Sequence, residues 1–159
     1  MTVVLVALAI LIVAFAIFSL GFYFTQEKYL FGPKKLAADH SFSFDDPFEE
    51  RFITMKDGTR LNGLLFRTED PKGVILYLHG SKNALDFWGY TASLYTKLGY
   101  DIFYFDYRGF GKSEGAIKSL EQLYGDVQTV YDEIKAKYGE DKITLIGFSL
   151  GTGLAAYLA

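Results

Sequence analysis

Gly147-Phe148-Ser149-Leu150-Gly151 is the stretch that decides the fold, and it directly follows the apolar run Ile143-Thr144-Leu145-Ile146. A short apolar run ended by G-x-S-x-G predicts a strand, a sharp turn and the start of a helix, with the serine hydroxyl raised above the sheet edge. The glycines suit such a turn because a residue without Cβ tolerates closely approaching backbone. Ser149 is therefore a candidate nucleophile.

Two more apolar runs lie upstream, Val74–Leu78 and Asp101–Phe105. Continuous runs of this kind are typical of strands buried on both faces of a parallel sheet. The first ends in His79-Gly80-Ser81 and the second in Asp106-Tyr107-Arg108-Gly109-Phe110-Gly111-Lys112-Ser113. Three motifs thus follow three successive strands, at the carboxyl ends where ligands bind in open α/β sheets. We expect the run before Ser149 to be the third buried strand.

The remaining pattern is a hairpin followed by alternating strands and helices. The predicted elements are strands over 51–55 and 60–67 joined by an Asp57-Gly58 turn, a helix over 83–98 ended by Gly99, and an amphipathic helix reaching about Tyr138 after a capping box of Ser119 and Gln122. The chain therefore has the order of an α/β domain, which we place at residues 48–159.

Residues Val3–Phe24 form an uninterrupted apolar run, with no charged residue before Glu27. At 1.5 Å per residue this length covers a hydrocarbon core of about 30 Å. We predict a transmembrane anchor over residues 1–25. A cleavable signal peptide is the alternative, since Ala14-Phe15-Ala16 resembles a cleavage site, but a basic segment before the run is missing.

Lys28, Lys34 and Lys35 all follow the apolar run and none precedes it. The positive-inside rule therefore favours a single-pass membrane protein with its C-terminal domain in the cytoplasm.

Residues 26–47 read as a juxtamembrane linker, rich in turn-forming Gly, Pro and Asp. His40 is expected to be exposed in this polar tether. Phe42 and Phe44 could pack either on the membrane surface or on the edge of the domain.

Composition excludes several classes of function. The chain has 159 residues, of which 50% are hydrophobic, enough for one core. Its net charge is −3 and the part after the apolar run has no basic stripe, which argues against a nucleic-acid partner. Cysteine is absent, so disulfides and thiolate metal sites are excluded.

Together the three motifs resemble the α/β-hydrolase superfamily, in particular its small membrane-anchored serine hydrolases of the lysophospholipase-like and serine-aminopeptidase-like branch. The resemblance covers roughly residues 49–159 and implies the N-terminal part of an α/β-hydrolase fold, a mostly parallel sheet preceded by an antiparallel hairpin. It implies that Ser149 is the nucleophile, and that the backbone N–H groups of Leu150 and Ser81 form the oxyanion hole, with Ser81 preferred over Gly80. The residues implied to shape the surrounding loops are His79, Gly80, Asp106, Arg108, Gly147 and Gly151. No cofactor and no metal are implied.

In this superfamily the nucleophile is followed along the chain by an acid and then a histidine. Residues 152–159 contain no Asp, Glu or His. We therefore expect a truncated form of a longer hydrolase, inactive by itself, whose complete form cleaves a carboxylic ester, thioester or amide.

The substrate is expected to be a small or lipid-like acyl compound. Phe87 and Trp88 either line an acyl pocket or simply pack within a helix. Two alternatives stay open: a non-catalytic membrane-anchored pseudoenzyme or half-domain completed by a partner chain, and an acyltransferase, because the same turn serves both chemistries.

Overall fold

The N-terminal apolar run forms one continuous helix, α1 (Thr2–Leu30), in the computed structural model of the chain. The structure describes residues 2–30 and 32–159, and for residues 27–30 it describes the backbone without the side chains, so the Lys28 side chain lies outside it. Thr2–Gln26 is long and apolar enough to cross a membrane, a property it shares with signal sequences. Internal contacts divide the chain into two units, residues 1–32 and 33–159.

The second unit is built on a five-stranded mixed sheet. The described residues form seven strands, of which β1 and β5 lie outside this sheet: β1 (Gly32–Pro33), β2 (Phe48–Thr54), β3 (Arg60–Phe66), β4 (Val74–Leu78), β5 (Lys82–Asn83), β6 (Asp101–Phe105) and β7 (Ile143–Gly147). The large sheet has the order β2-β3-β6-β4-β7. β2, β3 and β6 pair antiparallel, whereas β6, β4 and β7 pair parallel. The predicted hairpin and the parallel sheet after it are confirmed, and the three motif-bearing strands end at the same edge.

Helices cover both faces of this sheet. They are α2 (Leu85–Trp88), α3 (Ala92–Thr96), α4 (Leu120–Tyr138) and α5 (Leu150–Leu158), with 3₁₀ turns at Gly89–Thr91 and Glu140–Lys142. Side chains alternate along β4, so Leu76 and Leu78 pack with α4 and α5 while Ile75 and Tyr77 pack with α2 and α3. β7 lies at the sheet edge and is only half-buried, so the prediction of a third fully buried strand is wrong.

The prediction of one helix over residues 83–98 is also wrong, because a 3₁₀ turn at Gly89–Thr91 separates α2 from α3. Gly89 lies against the ring of Phe44, where a Cβ would come within 2.4 Å of a ring carbon. The Thr91 hydroxyl lies 2.8 Å from the Trp88 carbonyl oxygen and 2.7 Å from the Tyr104 hydroxyl. These contacts fix the tighter turn.

The predicted pair, Ser119 and Gln122, caps the N-terminus of α4. The Ser119 hydroxyl accepts a hydrogen bond from the Gln122 backbone N–H at 3.1 Å. The Gln122 side chain in turn accepts from the backbone N–H of Lys118 at 2.8 Å, one residue before the cap.

Much of the predicted linker packs on the domain. Phe42 and Phe44 join the core cluster formed with α2 and α3, which decides between the two environments considered for them. His40 is half-buried, edge-on to Phe42 with ring centres 5.0 Å apart, so its predicted exposure is wrong.

Candidate active site

Ser149 lies at the turn between β7 and α5, with an unusual backbone conformation. Its φ is +52° and its ψ is −114°. This combination lies outside the regions that L-residues ordinarily occupy, and such strain typically costs about 1–3 kcal/mol. The residue is exposed at the carboxyl end of the sheet. The turn thus presents its hydroxyl to solvent at the edge where the other two motifs end.

Both glycines of the pentapeptide lie where a side chain has no room. A Cβ on Gly147 would lie 2.3 Å from the carbonyl oxygen of Gly151, and a Cβ on Gly151 would lie 1.8 Å from the carbonyl oxygen of Leu78. The Leu78 carbonyl also accepts a hydrogen bond from the backbone N–H of Phe148 at 2.9 Å. The turn is therefore seated directly on the end of β4.

The loop after β4 lies beside the serine. A Cβ built on Gly80 would be 3.5 Å from the Cβ of Ser149 and 3.2 Å from the Phe148 ring. Ser81 follows and is half-buried. Leu150 begins α5, so its backbone N–H is among those that a helix leaves without an intrahelical acceptor. The backbone of both elements that the resemblance assigns to the oxyanion hole therefore meets at Ser149.

His79 is fully buried beneath this loop. Its Nδ1 lies 2.7 Å from the Gly80 carbonyl oxygen, and its Nε2 lies 3.3 Å from Oδ1 of Asp106. Neither the Nε2 nor that Oδ1 has a hydrogen-bond partner elsewhere among the described residues, so the two buried atoms face each other. The ring packs on Tyr107, with centres 4.3 Å apart. Both ring nitrogens therefore face groups other than the serine.

Asp106 is the buried centre of the loop after β6. Its Oδ2 accepts a hydrogen bond from the backbone N–H of Leu85 at 3.3 Å. A Cβ on Gly111, whose φ is +47°, would lie 1.9 Å from the same oxygen. Burial raises the pKa of the Asp106 carboxyl above its usual value, and the neighbouring His79 opposes this shift. Folding therefore favours the neutral carboxyl.

Arg108 ties this loop to two distant elements. Its Nε and Nη2 donate to the two carboxylate oxygens of Asp126 on α4 at 2.6 and 2.8 Å. Its Nη1 donates to Asp57 at 2.6 Å and to the Thr59 hydroxyl at 2.8 Å, both in the hairpin turn. The hydrogen bonds that Arg108 donates to Asp126, and secondarily to Asp57, raise the pKa of the guanidinium, which stays charged although only 6% of its side chain is exposed. The bidentate geometry makes the Asp126 pair a strong one.

Two supporting residues lie outside the sequence predictions. The Tyr107 hydroxyl donates to the His79 carbonyl at 2.8 Å and so joins the loops after β4 and β6. Asp126 is 5% exposed on the inner face of α4, near Leu123 and Val130. An acidic residue in the register of an apolar helix face is a signal for a buried ion pair, and it could have identified Asp126.

A general base for Ser149 is not found in the described part of the chain. Of the two histidines, His79 faces Gly80 and Asp106, and His40 packs on Phe42. The described residues also contain no group of three or more His, Cys, Asp or Glu side chains arranged to hold a metal ion.

The strand order and the glycine-flanked serine turn define the α/β-hydrolase fold, and solved structures of this fold match the chain. The Pyrococcus furiosus esterase Pf2001 superposes with a TM-score of 0.63 at 23% identity, covering 79% of this chain and 49% of that protein. The esterase EaEST from Exiguobacterium antarcticum superposes with a TM-score of 0.58 at 27% identity, covering 69% of this chain and 40% of that one.

The family described as "Serine aminopeptidase, S33" matches residues 69–159, and the chain belongs to this family of α/β hydrolases. Among curated proteins, the lysophosphatidylserine lipase ABHD12 of Gallus gallus is 41% identical over 88 residues, which cover 54% of this chain and 23% of the relative. The uncharacterized protein YfhR of Salmonella typhi is 30% identical over 138 residues, covering 82% of this chain and 43% of the relative. The chain thus spans less than half the length of these relatives.

Proposed function

We propose that this chain is the nucleophile-bearing part of a membrane-anchored serine hydrolase that cleaves carboxylic ester, thioester or amide bonds through Ser149. The observation that carries the proposal is the strained, exposed Ser149 at the end of β7, with Gly80 on one side and the first turn of α5 on the other. Membership of a hydrolase family, and relatives described as a lipase and as esterases, support hydrolysis of an ester.

In the proposed reaction, the Ser149 Oγ attacks the substrate carbonyl carbon while its proton passes to a general base. The oxyanion of the tetrahedral intermediate accepts hydrogen bonds from the backbone N–H groups of Leu150 and Ser81. Collapse breaks the bond to the leaving group, which takes the proton from the base, and water then releases the acid from the acyl-enzyme. Donors aimed at this oxyanion typically contribute about 10²–10³ in rate each.

The base and its orienting acid are proposed to come from residues outside this chain. Both histidines here are engaged elsewhere, and the chain spans less than half of its relatives. The chain alone is then expected to show at most the residual catalysis that an oxyanion hole and binding provide, about 10³–10⁴ over water. The loops held by His79, Asp106 and Arg108 are proposed to position the oxyanion turn without exchanging protons with substrate.

A lipid-like acyl substrate is proposed from three features: the apolar N-terminal helix, the relative described as a lysophosphatidylserine lipase, and the aromatic pair Trp88 and Phe148 beside the serine, with ring centres 5.2 Å apart. A single-pass anchor with the domain in the cytoplasm is part of the proposal, supported by the apolar helix and the lysines that follow it.

The test is covalent labelling by a fluorophosphonate, followed by peptide mapping. The protein is isolated from its own cells through an N-terminal epitope, which also gives the mass of the native product. We expect label on Ser149 and none after Ser149→Ala. We expect the 159-residue chain by itself to be labelled far more slowly than a longer native product. A folded native product that is not labelled would instead support a non-catalytic pseudoenzyme or half-domain. Equal turnover of esters with short and long acyl chains would contradict the lipid-like substrate.

A further inference from the structure

A row of large apolar side chains lies exposed on the helical segment after the Gly80 loop. Phe87, Tyr90, Leu94 and Leu98 are 52%, 69%, 63% and 60% exposed. They recur every three or four residues through α2, the 3₁₀ turn, α3 and the two residues after α3, and we call them the apolar stripe. Large exposed apolar patches mark interaction sites, whereas single scattered apolar residues on a surface are normal.

The charges around the apolar stripe are those of a surface that meets lipid headgroups. Residues 85–99 contain one acidic side chain, Asp86, and it is paired with Lys34. Lys97 lies exposed within the segment. Asp46 is a further carboxylate beside α3 and accepts a hydrogen bond from the Thr96 hydroxyl at 3.3 Å. Exposed aromatic and leucine side chains with a lysine among them form the pattern of segments that lie in a membrane interface.

The chain leaving the apolar helix is fixed to this same part of the domain. The Lys34 carbonyl accepts a hydrogen bond from the Gly111 N–H at 2.7 Å, and the Leu36 N–H donates to the Gly111 carbonyl at 3.0 Å. These backbone bonds hold Lys34 beside Asp86 at the start of α2. From Gln26, the last residue of the apolar span, the chain can reach Lys34 over at most about 29 Å. The length of this connection therefore allows the apolar stripe to reach the membrane surface.

The apolar stripe is linked to the nucleophile turn through the buried ring of Trp88. The rings of Phe87 and Trp88 are 5.2 Å apart, and Trp88 is 5.2 Å from Phe148. Phe148 is 53% exposed and directly precedes Ser149. Trp88 is only 7% exposed, so the aromatic side chains that an acyl chain on this surface could meet are Phe87 and Phe148.

We propose that the apolar stripe is a bilayer-contact surface, through which the domain rests on the boundary between headgroups and acyl chains and receives its acyl substrate. The inference rests on the membrane anchoring proposed above, and it commits to lipid, not to a second protein, as the occupant. The short connection to the proposed anchor, the paired Asp86 and the exposed Phe148 beside Ser149 favour lipid.

Trp88 is the one tryptophan of the sequence and serves as the probe. The full chain is reconstituted into phosphatidylcholine vesicles, with and without phosphatidylcholine that is spin-labelled near the glycerol end of an acyl chain. We expect the spin-labelled lipid to quench Trp88, and Phe87→Ser combined with Leu94→Ser to lose most of that quenching. Each variant is normalised to its own fluorescence in unlabelled vesicles, because Phe87 contacts the probe. Leu94→Ser with Leu98→Ser leaves the aromatic contacts intact and should show the same loss.

Leu120→Ser is the matched control, since Leu120 is 52% exposed like Phe87 but lies at the start of α4, and it should keep the full quenching. Flotation with vesicles reports anchoring separately from the quenching. Ser149→Ala should not change the quenching, so a failure of the hydrolase proposal can be distinguished from a failure of the bilayer-contact proposal. Equal quenching in the wild type and both stripe variants would overturn the inference. The inference would also be overturned if protein that floats with the vesicles showed no quenching of Trp88. If amide exchange in α3 then slowed as the protein concentration rose, a second copy of the chain, not lipid, would cover the stripe.

Discussion

Replacing Ser149 by glycine should stabilise the protein, although it removes the proposed nucleophile. The backbone of Ser149, with φ of +52° and ψ of −114°, is unfavourable for a residue that has a Cβ. Strain of this kind costs about 1–3 kcal/mol, and glycine removes it. Glycine also makes the unfolded chain more flexible, which offsets about 0.5–1 kcal/mol. The expected net gain is about 1 kcal/mol, or roughly 3–4 °C in Tm for a unit of this size.

Ser149→Ala separates strain from the loss of the hydroxyl, because alanine keeps the Cβ and lacks the Oγ. We expect the free energy of unfolding of Ser149→Ala to lie within about 0.5 kcal/mol of the wild-type value. The assay is urea unfolding of the detergent-solubilised full chain, monitored by the fluorescence of Trp88. If the glycine and alanine variants had the same free energy of unfolding, the backbone of Ser149 would not be strained and the argument would fail.

Three further predictions test the supports of the turn by the same assay. Gly151→Ala should lose about 3 kcal/mol or more, because its Cβ would meet backbone, whereas Gly153→Ala, with open space around it, should gain up to about 1 kcal/mol. Asp126→Ala should lose about 3 kcal/mol, because it removes the buried carboxylate that pairs with Arg108 and leaves the guanidinium with only the exposed Asp57 as its ionic partner. Asp57→Ala should lose clearly less, because that carboxylate is exposed. Equal losses within either pair would contradict the packing described. The pKa of Asp106 is raised in the folded state, so its contribution to the free energy of unfolding is fully present below the unfolded pKa and is lost as pH rises. The stability of the wild type relative to Asp106→Asn should therefore fall from acidic to neutral pH. A difference that stays constant or grows would refute this sign.

The strands that position the site could be predicted from sequence because their signals are local. Val74–Leu78 and Asp101–Phe105 are continuous apolar runs bounded by turn-forming residues, and the structure gives both the same bounds. The serine turn is similarly local, since Gly147 and Gly151 mark the two places where backbone from a neighbouring element excludes a Cβ.

The parts that could not be predicted depend on contacts between distant residues. The break in the helix after Trp88 comes from Phe44 packing on Gly89 and from Thr91 meeting Tyr104, and local propensity does not contain this information. The edge-on packing of His40 on Phe42 has the same origin.

Gly111 shows why the segment after the apolar helix belongs to the architecture of the candidate site. Its N–H and carbonyl pair with Lys34 and Leu36, while its Cα lies so close to the Asp106 carboxylate that no side chain fits. The Lys35 side chain also donates to the Ser113 carbonyl at 3.0 Å, at the other end of the same loop. Residues 34–36 therefore pack on the loop on which Asp106 contacts His79. Because His79 lies directly under the Gly80 turn beside Ser149, the packing of this segment and the geometry of the proposed oxyanion hole share one loop.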